Sequence, residues 1–296
     1  MLMAVACAPA DDASESPPVD QAATGPPASL SWETVQDPSH RVAVVEGLSG
    51  PEAVRYDPEL DVYWVSNMNG DDPGFIARVS TDGDVEVREF MTGTDEFPLV
   101  DPRGMNVTGD TLWVADADGI HGFQRTSGEQ VAFVDFTGFE PGFLNDIAVG
   151  PDGALYVTDT GAARVYRLAG REAAVAIEDD RLGPPNGIAW DATGERFLLA
   201  PWGGEQTFHA WRPGSDPEPF ATSPGGNFDG IEIVGDRVLV ASQSDTSIHV
   251  IEDGAGRAFI ITGGRPADIA VDTRRVRVAV PYISLNRVDI WQLPLQ

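Results

Sequence analysis

The chain has 296 residues, with 47 acidic side chains against 19 basic ones, and every basic residue is an arginine. Its formal net charge of −28 argues against binding to nucleic acid or to anionic membrane surfaces, because both favour basic patches. A single cysteine, Cys7, excludes a disulfide framework and cysteine-based zinc sites. No apolar run reaches the roughly 18 residues that predict a membrane-spanning helix.

The first 30 residues differ in composition from the rest of the chain. Residues 4–7 read Ala-Val-Ala-Cys, which resembles a bacterial lipobox, where the cysteine carries the lipid. Residues 8–30 are rich in Pro, Ala, Ser and Asp and contain no aromatic side chain, so they predict a disordered tether. We therefore expect residues 1–30 to be a truncated or lipoprotein-type signal followed by a tether. The protein would be exported to the periplasm or cell surface and held there through Cys7, unless this cysteine is accidental.

A repeat occupies the rest of the chain. Each copy contains a short polar step, a hydrophobic strand, a turn and a second strand rich in Val, Leu, Tyr and Trp. The copies begin with GPEAVRYDP (50–58), DPRGMNVTGD (101–110), FLNDIAVGPDG (143–153), PPNGIAWDATG (184–194), NFDGIEIVGD (227–236) and RPADIAVDTR (265–274). The spacing leaves room for four short antiparallel strands per copy, which is typical of a β-propeller.

Six copies predict an all-β, six-bladed β-propeller over residues 31–296. The last copy is too short for a full blade, whereas residues 40–46 (HRVAVVE) read as a lone strand before the first copy. We expect this N-terminal strand to complete the last blade and close the ring. A β-helix or a sandwich is the alternative, but neither explains why the missing strand lies at the opposite end.

Aligned copies place six residues, here called the axial residues, at the start of the strand that lines the central channel. They are Glu52, Arg103, Asn145, Asn186, Asp229 and Ala267. Four of them carry hard oxygen donors, and two carboxylates converging without a cation would repel each other. Ca²⁺ accepts six to eight such oxygens, including waters, whereas Mg²⁺ demands stricter geometry. The pattern therefore predicts calcium, with another divalent cation left open; the alternative is that these are ordinary turn residues.

The motifs GPE (50–52), LND (144–146), PNG (185–187) and FDG (228–230) appear in order along the chain. This set resembles the senescence marker protein (regucalcin) and gluconolactonase family over residues 40–296, and more distantly diisopropyl fluorophosphatase and the paraoxonases. The resemblance implies that Glu52, Asn145, Asn186 and Asp229 are the calcium ligands. It also implies a calcium-dependent hydrolase of a lactone or related ester, or of a phosphotriester. GPEAVRYDP, VSNMNG and GRPADI look closest to a bacterial exported branch.

A calcium ion open to solvent can polarise an ester as a Lewis acid, and attack then needs water and a base. Asp229 and Asp146 are the candidate bases, although Asp146 could equally be a carboxylate that only binds nearby backbone. Arg103 could neutralise an acidic substrate group or pair with Glu52 or Asp229. We expect the pocket walls at the ends of the second strands, from Asn67, Asp116, Asp159, Trp202 and Tyr282.

Phe143 stands where sugar lactonases often carry an arginine, which favours a less polar ligand. The expected partner is a small-molecule ester or lactone, and the expected state is a monomer. His121, His209 and His249 lie inside strand patterns and are expected to be packed, while residues 116–119 (DADG) look like an incomplete calcium loop. The competing hypothesis is a non-catalytic propeller that binds a ligand or protein and holds calcium as a structural ion.

Overall fold

The computed structural model describes residues 30–294. Cys7 and the predicted signal and tether lie outside the described residues, apart from Leu30. The helices in the described part of the chain are short 3₁₀ turns at Pro38–His40, Thr137–Phe139, Asp180–Leu182 and Ile283–Leu285. None of the helices found there is long and apolar enough to cross a membrane.

Twenty-four strands, β1 to β24, make up nearly all the regular structure of residues 30–294, and twelve of them form three separate four-stranded sheets. The first of these sheets is β2 (Pro51–Asp57), β3 (Val62–Asn67), β4 (Phe75–Ser80) and β5 (Val85–Met91). The second is β6 (Met105–Thr108), β7 (Thr111–Ala115), β8 (Gly119–Gln124) and β9 (Gln130–Asp135). The third is β10 (Leu144–Val149), β11 (Leu155–Asp159), β12 (Arg164–Ala169) and β13 (Glu172–Glu178). In all three, each strand pairs antiparallel with the next strand of the chain.

The next eight strands form one larger sheet with the order β14-β15-β16-β17-β21-β20-β19-β18. Its first half is β14 (Pro185–Asp191), β15 (Arg196–Pro201), β16 (Thr207–Trp211) and β17 (Glu218–Thr222). Its second half is β18 (Phe228–Val234), β19 (Arg237–Ser242), β20 (Ser247–Glu252) and β21 (Ala255–Ile261). One parallel pair, Thr222 with Ala255, joins the halves, so the predicted pair of separate blades is found as a single sheet whose outer strands touch.

The last sheet combines the two ends of the described chain. It contains β22 (Ala270–Asp272), β23 (Arg277–Tyr282) and β24 (Arg287–Gln292), and β1 (Arg41–Val45) pairs antiparallel with β24. The predicted strand at residues 40–46 is therefore present, and it lies in the same sheet as the C-terminal strands.

The first strand of each group, in the order β2, β6, β10, β14, β18 and β22, contacts the next, and β22 contacts β2. Hydrophobic clusters fill the spaces between neighbouring sheets, including the space between the last sheet and the first, where Val288 and Ile290 pack with Val54 and Tyr63. The fold is therefore an all-β, propeller-like ring. Its first strands surround a channel, and their side chains meet there.

Candidate metal site in the axial channel

Backbone bulges orient the four oxygen-bearing axial residues. The pairing of β2 with β3 shifts register between Pro51 and Val54, on either side of Glu52. The same shift flanks Asn145 in β10, Asn186 in β14 and Asp229 in β18. A bulge re-aims side chains by leaving a residue out of the ladder, so the four strands present their second residue in the same way.

All four of these side chains are buried, between 2% and 5% exposed. Each has one oxygen without a hydrogen-bond partner among residues 30–294: Glu52 Oε2, Asn145 Oδ1, Asn186 Oδ1 and Asp229 Oδ1. Buried polar atoms in folded proteins nearly always have partners, and an exception calls for an explanation such as an ion. A cation bound between the four aligned residues would supply the missing partner for all four oxygens at once.

The buried carboxylates of the channel also favour a cation at the axial residues. Burial raises the pKa of Glu52 well above its usual value, and the carboxylate of Asp229 raises it further. Burial also raises the pKa of Asp229 to about 7, although the side chain of Gln243 donates a hydrogen bond of 2.8 Å to Asp229 Oδ2. Keeping both buried carboxylates ionised therefore costs free energy, and a divalent cation between them would reduce that cost.

Asp146 lies beside the axial residues, and backbone groups hold both of its oxygens. Ile147 N donates to Oδ1 at 2.7 Å, and Ile188 N donates to Oδ2 at 2.9 Å. Burial raises the pKa of Asp146 to about 6. Of the two predicted roles, these contacts favour the backbone-binding one and leave Asp229 as the freer carboxylate.

Asp268 is a channel carboxylate that the repeat alignment missed, because the aligned position in the last copy is Ala267. Asp268 is 2% exposed, and its Oδ2 has no partner in the described part of the chain. Burial raises its pKa well above the usual value, and the charges of Asp146, Glu52 and Asp229 add to the effect. The signal was available in the sequence, since NDIAV (145–149) and ADIAV (267–271) place Asp146 and Asp268 at equivalent positions.

Arg103 pairs with a carboxylate other than the two predicted. Its Nη2 contacts Asp101 Oδ2, and its Nη1 donates to Leu144 O at 2.9 Å. The guanidinium carbon lies 3.8 Å from the centre of the Phe143 ring. Among the described residues Arg103 forms its ion pair with Asp101 rather than with Glu52 or Asp229, although its charge acts to lower the pKa of Glu52.

Three of the predicted pocket residues hold loops instead. Asn67, Asp116 and Asp159 have no exposed surface. Each accepts hydrogen bonds from backbone N–H groups in the loop that leads into the first strand of its sheet: Ser49 for Asn67, Val100 and Asp101 for Asp116, Gly142 and Phe143 for Asp159. Those N–H groups have no ladder partner, so a side chain at the end of the second strand supplies one.

The other two predicted pocket residues differ from each other. Tyr282 is buried in the core cluster that contains Leu293 and Trp291, so it does not form a pocket wall. Trp202, directly after β15, keeps part of its surface exposed. Phe143 is 44% exposed and lies two residues before Asn145, so the exposed aromatic surface near the site includes Phe143 as well as Trp202.

A cavity of about 340 Å³ lies beside the loops that lead into β2 and β6 and the turn between β23 and β24. It is lined by Ser49, Gly50, Met68, Asn69, Gly70, Asp101, Ile283 and Asn286. Gly50 is two residues from Glu52, and Asp101 binds Arg103. The cavity is therefore bordered by the two loops that lead to Glu52 and Arg103, although neither of these residues lines it.

Solved structures share this architecture. A gluconolactonase from Xanthomonas campestris, XC5397, superposes with a TM-score of 0.68 at 20% identity, covering 91% of this chain and 97% of that one. A calcium-binding regucalcin from Agrobacterium tumefaciens gives 0.65 at 16% identity, covering 86% and 95%. A streptogramin B lyase gives 0.60 at 12% identity, covering 86% and 98%. At these identities the likeness concerns the fold.

A search of curated proteins gave no match. The family profile described as "SMP-30/Gluconolactonase/LRE-like region" matches residues 51–201, which is more than half of the chain and includes Glu52, Asn145 and Asn186. The chain therefore belongs to the SMP-30/gluconolactonase/LRE-like family.

Proposed function

We propose that this protein is a calcium-dependent hydrolase of a lactone or a related ester. The observation that carries the proposal is that Glu52, Asn145, Asn186 and Asp229 each have a buried oxygen without a partner among residues 30–294. They combine two charges with two neutral amide oxygens and include no nitrogen or sulfur donor, which is the chemistry that calcium prefers.

For the same proposal we count the ring as six blades, with the two halves of the eight-stranded sheet as separate blades. A single parallel pair joins those halves, whereas several antiparallel pairs hold the strands together inside each half. The pairing of β1 with β24 then completes the sixth blade. In this arrangement all six axial residues belong to one layer of the channel.

Glu52, Asn145, Asn186 and Asp229 would hold the metal, and calcium bound there would act as a Lewis acid toward the carbonyl oxygen of an ester. Asp229 is the better placed base. Gln243 holds its Oδ2 in position, yet a carboxylate oxygen can accept a second hydrogen bond from water. Asp146 is less suitable, because Ile147 and Ile188 already occupy both of its oxygens.

The surroundings favour an uncharged substrate. Asp101 neutralises Arg103, and the exposed ring of Phe143 covers the guanidinium. An anionic sugar acid would have to displace both groups, whereas an apolar lactone or aryl ester could pack against Phe143 directly. The gluconolactonase from Xanthomonas campestris supports lactones as the first class to test.

A non-catalytic propeller with structural calcium is the second candidate. Asp146 is one of the two candidate bases, and both of its carboxylate oxygens already accept hydrogen bonds from backbone N–H groups. This observation favours the second candidate. Under this hypothesis calcium would raise the melting temperature without any turnover.

A substrate panel separates the two candidates. Lactones, aryl esters and phosphotriesters are assayed with calcium and with chelator, using the native protein, Asp229→Asn and the control Asp236→Asn, whose side chain is 82% exposed. The proposal expects turnover that needs calcium, is lost in Asp229→Asn and is kept in Asp236→Asn. Calcium-dependent stabilisation without turnover of any class would favour the binding protein instead.

A further inference from the structure

A second cluster of potential metal ligands lies in the β7–β8 turn of the second sheet. Asp116 follows β7 directly, Asp118 lies in the turn, and His121 lies in β8. The turn is closed by a hydrogen bond of 2.9 Å from Asp116 N to Gly119 O. One ligand atom of each of the three side chains lies within 4.8 Å of the other two.

His121 contributes a buried nitrogen that lacks a partner. The side chain has no exposed surface, and Nε2 forms no hydrogen bond with any residue in the range 30–294. Nε2 faces both carboxylates, at 3.4 Å from Asp116 Oδ2 and 3.8 Å from Asp118 Oδ1. The Asp118 oxygen is likewise buried and unpaired within the described chain.

The other side of the imidazole contacts the carboxamide of Gln130. The carboxamide nitrogen of Gln130 lies 2.8 Å from His121 Nδ1, and Gln130 Oε1 is itself unpaired among the described residues. A half turn of this carboxamide would let Oε1 accept the Nδ1 proton. The lone pair of Nε2 would then face the two carboxylates, and a second hydrogen bond of this kind orients most histidine ligands.

The spacing of the ligand atoms matches a small transition-metal ion. Ligands about 2.1 Å from a tetrahedral Zn²⁺ lie about 3.4 Å from each other. The two nitrogen-to-oxygen distances, 3.4 and 3.8 Å, are close to this value and longer than a hydrogen bond. Imidazole with two carboxylates also suits zinc or a similar divalent ion better than calcium.

We propose that Asp116, Asp118 and His121 bind a divalent transition-metal ion of the zinc type, separate from the axial site. The side chain of Asp118 is 43% exposed, so solvent or a further ligand can take the remaining position. Asp116 also accepts hydrogen bonds from Val100 N and Asp101 N, so the ion would stiffen the loop that carries Asp101 to Arg103.

Cobalt(II) is the probe, because its visible absorption reports four-coordinate geometry. The full chain is stripped with chelator, supplied with excess calcium to fill the axial site, and titrated with Co²⁺. Asp118→Asn is the main variant, since its exposed side chain contributes little to folding; His121→Gln is the second. The control is Asp245→Asn, another aspartate beside a buried histidine, where both nitrogens of His249 already have partners.

The proposal expects one Co²⁺ per chain with a four-coordinate spectrum that Zn²⁺ displaces. Asp118→Asn should weaken binding by at least about tenfold. His121→Gln should abolish the spectrum, and Asp245→Asn should leave it unchanged. Absence of the spectrum in the native chain, or its retention in Asp118→Asn, would overturn the proposal and leave His121 as a simple ion-pair partner of Asp116.

Discussion

Gln243 Nε2 donates a hydrogen bond of 2.8 Å to Asp229 Oδ2, which leaves Asp229 Oδ1 as the oxygen without a partner among the described residues. Gln243 follows β19, whereas Asp229 lies at the start of β18, so neighbouring strands of one sheet fix the carboxylate. This contact orients one candidate ligand and one candidate base at the same time.

Gln243→Ala should weaken calcium binding by about tenfold, since side chains that orient metal ligands are usually worth ten- to a hundredfold in affinity. Isothermal titration with calcium measures the change. Gln206→Ala is the matched control, because Gln206 donates only to Gly225 O at the surface. Equal calcium affinities for the native protein and Gln243→Ala would show that this hydrogen bond does not orient Asp229 for metal binding.

The metal-free protein should lose stability as the pH rises from about 4 to about 7. The pKa of Asp229 is raised to about 7 and that of Asp146 to about 6, whereas an unfolded aspartate titrates near 3.9. The folded state therefore holds more protons across this window, and its advantage disappears as they leave.

Urea denaturation in chelator at several pH values measures this effect, and the difference between native protein and Asp229→Asn isolates the contribution of Asp229. As the pH rises, the free energy of unfolding of the native protein should fall relative to that of Asp229→Asn. Saturating calcium should remove the trend, because the cation stabilises the ionised carboxylates. A difference that stays constant between pH 4 and 8 would contradict the pKa assignment.

Asp146→Asn should destabilise the protein by about 1–3 kcal/mol, because asparagine offers one acceptor oxygen where Asp146 accepts two N–H groups. Asp268→Asn, at the equivalent position, should instead stabilise the metal-free protein above pH 7 by about 1 kcal/mol, since it removes a buried charge whose Oδ2 has no hydrogen-bond partner among residues 30–294. Denaturation in chelator measures both. If both substitutions changed the free energy of unfolding in the same direction, the different contacts of Asp146 and Asp268 would not explain their effects.

Asp159→Asn should cost about 1–3 kcal/mol of folding free energy although Asp159 is not an axial residue. Asp159 accepts hydrogen bonds from Gly142 N, Phe143 N and Tyr166 Oη, and asparagine would place an N–H where an acceptor is needed. Thermal denaturation tests this, with Asp253→Asn at an exposed turn as the control. An unchanged melting temperature would argue that Asp159 faces a ligand pocket after all.

The repeat is enough to predict the all-β ring of strands and the pairing of the N-terminal strand with the C-terminal ones. Spacing identifies Glu52 and Asn186 because each occupies the same step of its own repeat. It does not identify the partner of Asp159, because the loop residues Gly142 and Phe143 are 17 and 16 positions away and only the folded sheet brings them close. For the same reason the sequence does not show that Asn67, Asp116 and Asp159 hold loops instead of forming pocket walls.

Arg103 and Asp268 show a second limit. Alignment gives the position of a side chain along a strand but not its direction. Asp101, two residues before Arg103 in the same copy, pairs with it, and in the last copy the buried polar side chain follows the aligned position instead of occupying it. Both outcomes depend on how the chain bends before its strand begins.

The most direct test of the axial site is calcium titration of Asn186→Ala beside Asn106→Ala. Both asparagines lie on first strands of the ring, but Asn106 Nδ2 donates to Ile147 O at 3.0 Å, whereas Asn186 Oδ1 has no partner in the part of the chain that is described. Asn186→Ala should lower calcium affinity by at least about tenfold, and Asn106→Ala should leave it within about twofold. Unchanged affinity in Asn186→Ala, or an equal loss in both variants, would contradict a calcium site built from the axial residues.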